Sequence, residues 1–154
     1  MDQPLPMYAL SIKQPWAALV VRGLKTIEIR RWPTARRGRI LIHAARVPDP
    51  RQEGWNLVTD EMSDLAQLRG GLIGSVDVIE CIAYRDLLPF EADQELHRNH
   101  VSWYEPPVLY GFRFAAPEVT PFRVYPGWFR FFTIKDAAPK RAKPVFGASN
   151  GRLK

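Results

Sequence analysis

Residues 11–32 constrain the fold of this chain most, because they combine a short helix, a glycine stop and a strand in one unit. Pro15 suits the first position of a helix, where its missing N–H needs no partner, and the apolar run Trp16–Val21 supplies a face to bury. Gly23 lies where a helix ends in the left-handed conformation. The alternation of apolar and polar residues that follows predicts a strand over 26–31. The unit therefore places a short helix between two extended segments.

The remaining segments indicate an α+β protein. The chain of 154 residues is 46% hydrophobic, which suffices for one buried core but not comfortably for two. Gly74 is predicted to bend the longest strand, as a β-bulge does. Periodicity and turn residues predict strands over 8–12, 26–31, 39–44, 72–84, 108–115 and 128–135, and helices over 15–22, within 49–68 and near 90–98.

The chain divides into three parts. Residues 1–6 are an N-terminal extension, 7–135 form the domain, and 136–154 form a basic tail with five basic residues and one acidic residue. The tail has too few apolar residues to order itself, so we predict that it is flexible. It either adds nonspecific attraction to nucleic acid or is an inert solvated end.

The net charge of +6 conceals a strong pattern along the chain. Residues 13–46 carry nine basic and one acidic side chain, 47–118 carry five basic and thirteen acidic, and 119–154 carry eight basic and one acidic. The first basic block coincides with the helix–strand unit, which favours a polyanion or a phosphate-bearing ligand there. The alternative is that its arginines are solvated and pair with the acidic middle block.

Several sequence blocks in order resemble the ASCH domain, a PUA-like family. They are a Ser-x-x-x-Pro-Trp-Ala start at 11–17, a Gly-x-Lys-Thr-x-Glu-x-Arg segment at 23–30, Arg37-Gly38 with the strand at 39–44, and the glycine-rich start of a strand at 70–76. The resemblance implies a PUA-like small mixed β-barrel of five or six strands, flanked by two to four short helices. Together with the basic block that coincides with these motifs, it predicts binding of RNA or of a nucleotide-like ligand; no cofactor is predicted.

We predict a ligand cleft between the Pro15 helix and the strand at 25–31. Tryptophans there would stack on a base, cations would contact phosphate, and Glu28 would accept from an exocyclic amine. Lys25 and Glu28 are expected to be exposed, so that alanine at either position abolishes binding and changes stability by no more than about 1 kcal/mol. The candidate ligand-binding residues are Lys13, Trp16, Lys25, Glu28, Arg30, Arg37, Arg39 and His43, and the expected partner is RNA, single-stranded nucleic acid or a nucleotide-like molecule.

Three other functions remain open. Some ASCH proteins resemble amidohydrolases that remove an acyl group from N4 of cytidine with a lysine, a threonine and a glutamate. Lys25 matches that lysine, but Glu28 stands at the threonine position, and Glu91 or Glu95 is the nearest candidate for the glutamate. If the chain is an enzyme, Lys25 and Glu28 are the predicted catalytic residues. The other two alternatives are a metal-stimulated ribonuclease, and a protein-interaction module that uses the acidic middle block.

The sequence argues against several classes of site and location. Cys81 is the one cysteine, which excludes a disulfide framework and a cysteine-rich zinc site. No acidic and histidine cluster has metal spacing, so no metal is predicted. Nothing resembles a leader peptide or a membrane span, and we expect a cytoplasmic protein. His43 is expected to be half-buried and hydrogen-bonded, whereas His97 and His100 are expected to act as cations near a helix end.

Overall fold

The computed structural model describes residues 6–135 and contains a mixed six-stranded sheet. Its order is β2-β5-β4-β3-β1-β6, with β1 parallel to β3 and all other neighbours antiparallel. This is the predicted α+β class with a curled, barrel-like sheet. The strands are β1 Met7–Ile12, β2 Ile27–Arg30, β3 Gly38–Ala44, β4 Gly71–Tyr84, β5 Leu109–Val124 and β6 Phe131–Ile134.

Short helices fill the connections between the strands. Among residues 6–135, none of the helices has the length and hydrophobicity of a transmembrane span. The helices are α1 Trp16–Val21, α2 Gln52–Trp55, α3 Ser63–Ala66, α4 Leu87–Ala92 and α5 Gln94–His97, with 3-10 turns at Asp60–Met62 and Val101–Trp103.

Helix α1 forms the centre of the core. All six of its residues are buried, and it packs against β1, β3, β4 and β5. Pro15 is its N-terminal flanking residue, and Gly23 ends it at φ 80°, a conformation that side chains other than glycine rarely adopt. The helix–glycine–strand unit predicted from the sequence is therefore confirmed.

The curl brings the two outer strands, β2 and β6, towards each other. Trp32, just after β2, packs edge-on against Phe112 of β5 and Phe131 of β6, with ring centroids 5.0 and 5.7 Å away. Phe112 and Phe131 also stack on each other at 6.0 Å. Because no strand pairing joins β2 to β6 among the described residues, these aromatic side chains close the barrel. We call this contact the aromatic seam.

The structure corrects two strand boundaries. β5 continues to Val124, well beyond the predicted end at residue 115, and it includes Pro117 and Pro121. Beyond Arg113, β5 has β4 as a neighbour but no longer β2, so its outer edge is open and tolerates proline. β6 starts at Phe131 instead of Trp128, because Arg130 has a positive φ of 58°. The predicted bend at Gly74 is confirmed by irregular register beside it in β4.

Candidate functional site

A cavity of about 900 Å³ opens where the barrel is not closed by strand pairing. One wall is β2, from Glu28 to Arg30, followed by Trp32. The opposite wall is the end of β1 with Lys13 and Trp16, the end of β3 with the loop after it, and the segment before β6. Trp32 of the aromatic seam is therefore part of the cavity wall.

Three cations at this cavity have no carboxylate partner among the described residues: Lys13, Arg46 and Arg130. The Arg130 guanidinium lies over the Trp32 ring, 5.0 Å from its centroid. These side chains come from three separate segments, so the fold collects them at one opening. Their charge is available to an anionic ligand without breaking an ion pair.

Glu28 and Arg30 form a fixed ion pair in the cavity wall. The Arg30 guanidinium donates two hydrogen bonds to Glu28 Oε2, at 2.9 and 3.1 Å, and a third to the Ser11 carbonyl at 2.9 Å. Glu28 is 8% exposed, and its other oxygen, Oε1, lies 3.5 Å from Lys25 Nζ. The arginine therefore ties β2 to β1 and orients the carboxylate.

Lys25 is buried behind this pair. Its side chain is 2% exposed, and Nζ donates to the His97 carbonyl and, at 3.5 Å, to Asn99 Oδ1. Desolvation lowers the pKa of Lys25 to about 8, although the Glu28 carboxylate opposes the shift. The expectation that Lys25 and Glu28 are exposed is wrong, because the turn after Gly23 directs the lysine inward against α5 and the Trp16 ring.

Asp49 organises the far side of the cavity. Its Oδ2 accepts hydrogen bonds from Trp16 Nε1 at 2.8 Å and from the Arg51 guanidinium at 2.7 Å. These donors lower the pKa of the carboxyl to about 2 despite its burial. Arg51 in turn lies 3.6 Å from the Trp103 ring centroid. Trp16 is thus a buried core anchor, as the sequence suggested, whose indole N–H also holds a carboxylate.

A second cavity of about 560 Å³ adjoins the first across β2. The two share Ile29, Arg30, Trp32 and Arg51 as lining residues. Asp49 therefore fixes an arginine at the boundary between the two cavities.

The described histidines are held by hydrogen bonds in different ways. His43 is 1% exposed and is bonded to Ser11 Oγ at 2.9 Å and to the Tyr125 carbonyl at 2.7 Å, so it is more deeply buried than expected. His97 is fully buried; its Nε2 donates to the Phe90 carbonyl and its Nδ1 accepts from the Asn99 N–H. That pattern requires a neutral ring, and burial lowers the pKa of both histidines. The prediction that His97 acts as a cation is wrong.

Comparison with known proteins identifies the family. The model of the ASCH domain matches residues 10–145 of the chain. The chain belongs to the ASCH domain family. Two curated relatives are "Activating signal cointegrator 1" from Homo sapiens, 36% identical over 91 residues, and from Mus musculus, 35% identical over 91 residues. Each match covers 51% of this chain but 15% of the relative, so the chain corresponds to a small part of those proteins.

Solved ASCH structures share the fold. ASCH from Zymomonas mobilis superposes with a TM-score of 0.61, over 94% of this chain and 98% of that chain, at 13% identity. A tyrosine-to-phenylalanine mutant of the same protein gives a TM-score of 0.59 over 88% and 95% of the two chains, also at 13% identity. The predicted PUA-like architecture is thereby confirmed.

The structure brings together five of the eight candidate residues of this ASCH domain. Lys13, Trp16, Glu28, Arg30 and His43 line the larger cavity, whereas Lys25, Arg37 and Arg39 do not. Arg39 instead pairs with Asp77 at 3.3 Å and Glu118 at 3.2 Å. Arg37 and Arg39 lie at the start of β3, whereas the cavity opens at its end, roughly 20 Å along the strand.

Sequence reasoning missed half of the cavity wall in this ASCH domain. The omitted residues follow β3 or precede β6, and the sequence pattern assigns them to a loop and to a strand. The run Gly127-Trp128-Phe129-Arg130 carried a usable signal, since exposed aromatic residues beside a basic one are typical of nucleic-acid contacts. The described residues contain no group of three or more His, Cys, Asp and Glu side chains placed to hold a metal ion. The further lining residues that the sequence did not predict include Arg46, Asp49, Arg51, Trp128, Phe129 and Arg130.

Proposed function

We propose that this ASCH domain binds RNA or a nucleotide-like ligand in the larger cavity. The observation that carries the proposal is the convergence of Lys13, Arg46 and Arg130, all without carboxylate partners among the described residues, on an opening that is also lined by tryptophan. Phosphate groups attract such cations, and base faces stack on aromatic rings.

The remaining charges of the cavity are suited to orientation. Arg30 and Arg51 already hold Glu28 and Asp49, so they contribute less free charge to a phosphate than the other three cations do. Arg30 orients the Glu28 carboxylate, which in this proposal accepts a hydrogen bond from the amino group of a base. In this proposal the three cations without a carboxylate partner among the described residues supply affinity, and the Glu28 carboxylate supplies preference among bases.

The test is fluorescence anisotropy of a labelled ten-nucleotide single-stranded RNA, titrated with the full chain at several salt concentrations. Lys13→Ala, Arg46→Ala and Arg130→Ala are each expected to weaken binding and to reduce the slope of log K against log salt by roughly 0.7, the value for one single-strand phosphate contact. Arg113→Ala is the matched control, because this exposed arginine pairs with Glu80 outside both cavities and its loss changes the net charge equally.

The salt slopes distinguish the cavity from the tail and from a general charge effect. If Arg113→Ala lost as much RNA affinity as the three cavity variants do, the result would contradict a site in the cavity. Binding that disappears when residues 136–154 are removed, with no effect of Lys13→Ala, would assign the interaction to the tail. Unchanged binding in all three cavity variants would overturn the proposal.

One observation favours a second function, amide hydrolysis on an N4-acylated cytidine-like nucleoside. Lys25, with a pKa of about 8, lies 3.5 Å from Glu28, and a lysine of lowered pKa is suited to proton transfer. Burial of Nζ against the His97 carbonyl and the absence of a threonine at position 28 argue against it. Chromatographic detection of cytidine released from the acylated nucleoside by wild type, but not by Lys25→Met, would support this function over simple binding.

A further inference from the structure

Trp128 and Phe129 form an exposed aromatic pair in the wall of the larger cavity, which we call the aromatic platform. Their side chains are 64% and 74% exposed, and their rings stack with centroids 5.1 Å apart and planes 28° apart. The other four tryptophans of the chain are buried or half-buried. Large aromatic side chains of a soluble domain are usually covered, so two adjacent exposed rings indicate a surface that receives a partner.

The platform is anchored at both ends. Gly127 lies so close to the His43 ring that a Cβ at position 127 would be 2.6 Å from it, so this position excludes a side chain. At the other end, Arg130 has a φ of 58° and places its guanidinium over Trp32 in the aromatic seam. The platform thus extends from the sheet at a fixed place next to the cavity mouth.

The charges around the platform select the class of partner. Arg130 follows it directly in sequence, and Lys13 and Arg46 line the same cavity. Exposed stacked rings beside these cations are suited to a nucleic-acid strand, because its bases present flat faces to the rings and its backbone carries phosphates. A duplex offers no comparable face, because its bases are already stacked on one another.

We propose that the aromatic platform stacks an unpaired base of a single-stranded RNA whose phosphates contact Arg130 and the neighbouring cations. The inference rests on the proposed function and deepens it: the ligand is a single strand, one of whose bases stacks on the exposed rings in the cavity wall.

The test compares two labelled ten-residue strands by anisotropy: oligouridine, and a ribose-phosphate strand of equal length without bases. Trp128→Ala is expected to weaken oligouridine binding roughly five- to 150-fold, the range for loss of one base–aromatic stack, and to leave binding of the abasic strand unchanged. Trp128→Phe is expected to retain most of the affinity, whereas Trp128→Leu, which keeps apolar bulk without a ring, is expected to behave like alanine.

Leu88→Ala is the matched control, because Leu88 is 75% exposed on α4 and lines neither cavity. Oligouridine binding that is lost in Lys13→Ala but unchanged in Trp128→Ala would overturn the platform and leave the proposed function standing. If Trp128→Ala lost affinity equally for oligouridine and for the abasic strand, the tryptophan would act without stacking a base. That result would also overturn the platform. A shift from dimer to monomer in sedimentation of Trp128→Ala, with unchanged RNA binding, would overturn it too, by assigning the platform to self-association. No binding of either strand by wild type would overturn the platform and would also exclude a single RNA strand as the ligand of the proposed function.

Discussion

Lys13 and Lys25 belong to the same sequence unit but lie in opposite surroundings. Lys13 lines the open cavity and has no carboxylate partner among the described residues, whereas Lys25 is buried between α5 and Glu28. From the sequence both are cations of one basic motif. The comparison teaches that a family motif contains side chains that maintain the fold as well as side chains that remain available to a ligand, and that burial separates the two groups.

The largest expected effect on stability comes from replacing Lys25, the buried lysine of this comparison. Lys25→Ala is expected to lower the free energy of unfolding by about 2–4 kcal/mol, because it leaves a cavity and removes the donor from the buried His97 carbonyl. Urea denaturation at pH 7 measures the change. A loss below about 1 kcal/mol would restore the sequence-based expectation of an exposed site residue.

The next effect concerns Asp49, which lies between the buried and open regions. A carboxyl held at a pKa of about 2 contributes roughly 2 kcal/mol at neutral pH, so Asp49→Asn is expected to lower stability by about that amount. Since the folded pKa lies below the unfolded value, this contribution is present above about pH 4 and disappears as the pH falls towards 2. Denaturation curves at pH 7 and pH 3 check it: the difference between wild type and variant must shrink at the lower pH.

A smaller effect comes from the neutral ring of His97. Its pKa is lowered in the folded state, so below its ordinary value of 6.5 the unfolded chain takes up a proton that the native protein excludes. Stability is therefore lost as the pH falls, by at most about 1.4 kcal/mol per pH unit. His97→Gln keeps a donor for the Phe90 carbonyl, and its unfolding free energy is expected to change less between pH 7 and pH 5.5. An identical decline in both proteins would indicate that other groups cause it.

The smallest expected effect on stability comes from replacing Lys13, the exposed lysine of the comparison. Lys13→Ala is expected to change the free energy of unfolding by less than about 0.5 kcal/mol, because no ion pair or hydrogen bond of this side chain is lost among the described residues. Differential scanning fluorimetry beside the RNA titration separates the two properties. A Lys13 variant that is strongly destabilised would remove the contrast with Lys25.

Local patterns allow the early part of the fold to be predicted. Pro15, Gly23 and the alternation after them specify their own backbone conformations, and these are retained in the structure. The predicted end of β5 at residue 115 is too early, because the strand continues beside β4 after β2 has stopped pairing with it, and no local pattern encodes that partner.

The site is only partly predictable for the same reason. Lys13, Glu28, Arg30 and His43 follow from the motif, but Arg46 and Trp128 reach the cavity through the curl of the sheet, which no local pattern encodes. The burial of Lys25 likewise depends on α5, far along the chain. Sequence spacing gives the residues of one segment, whereas the cavity is built from several.

The aromatic seam also has a consequence for motion. Neighbouring strands of the sheet are joined by backbone hydrogen bonds, whereas β2 and β6 are connected through the three rings of the aromatic seam. Widening the barrel at the seam therefore separates side chains but breaks no hydrogen bonds between strands. Opening fluctuations should concentrate at this contact, where Trp32 is also part of the cavity wall. A bound RNA strand that contacts both walls of the cavity would restrain this opening. Amide hydrogen exchange in β2 and β6 would therefore slow when the RNA binds.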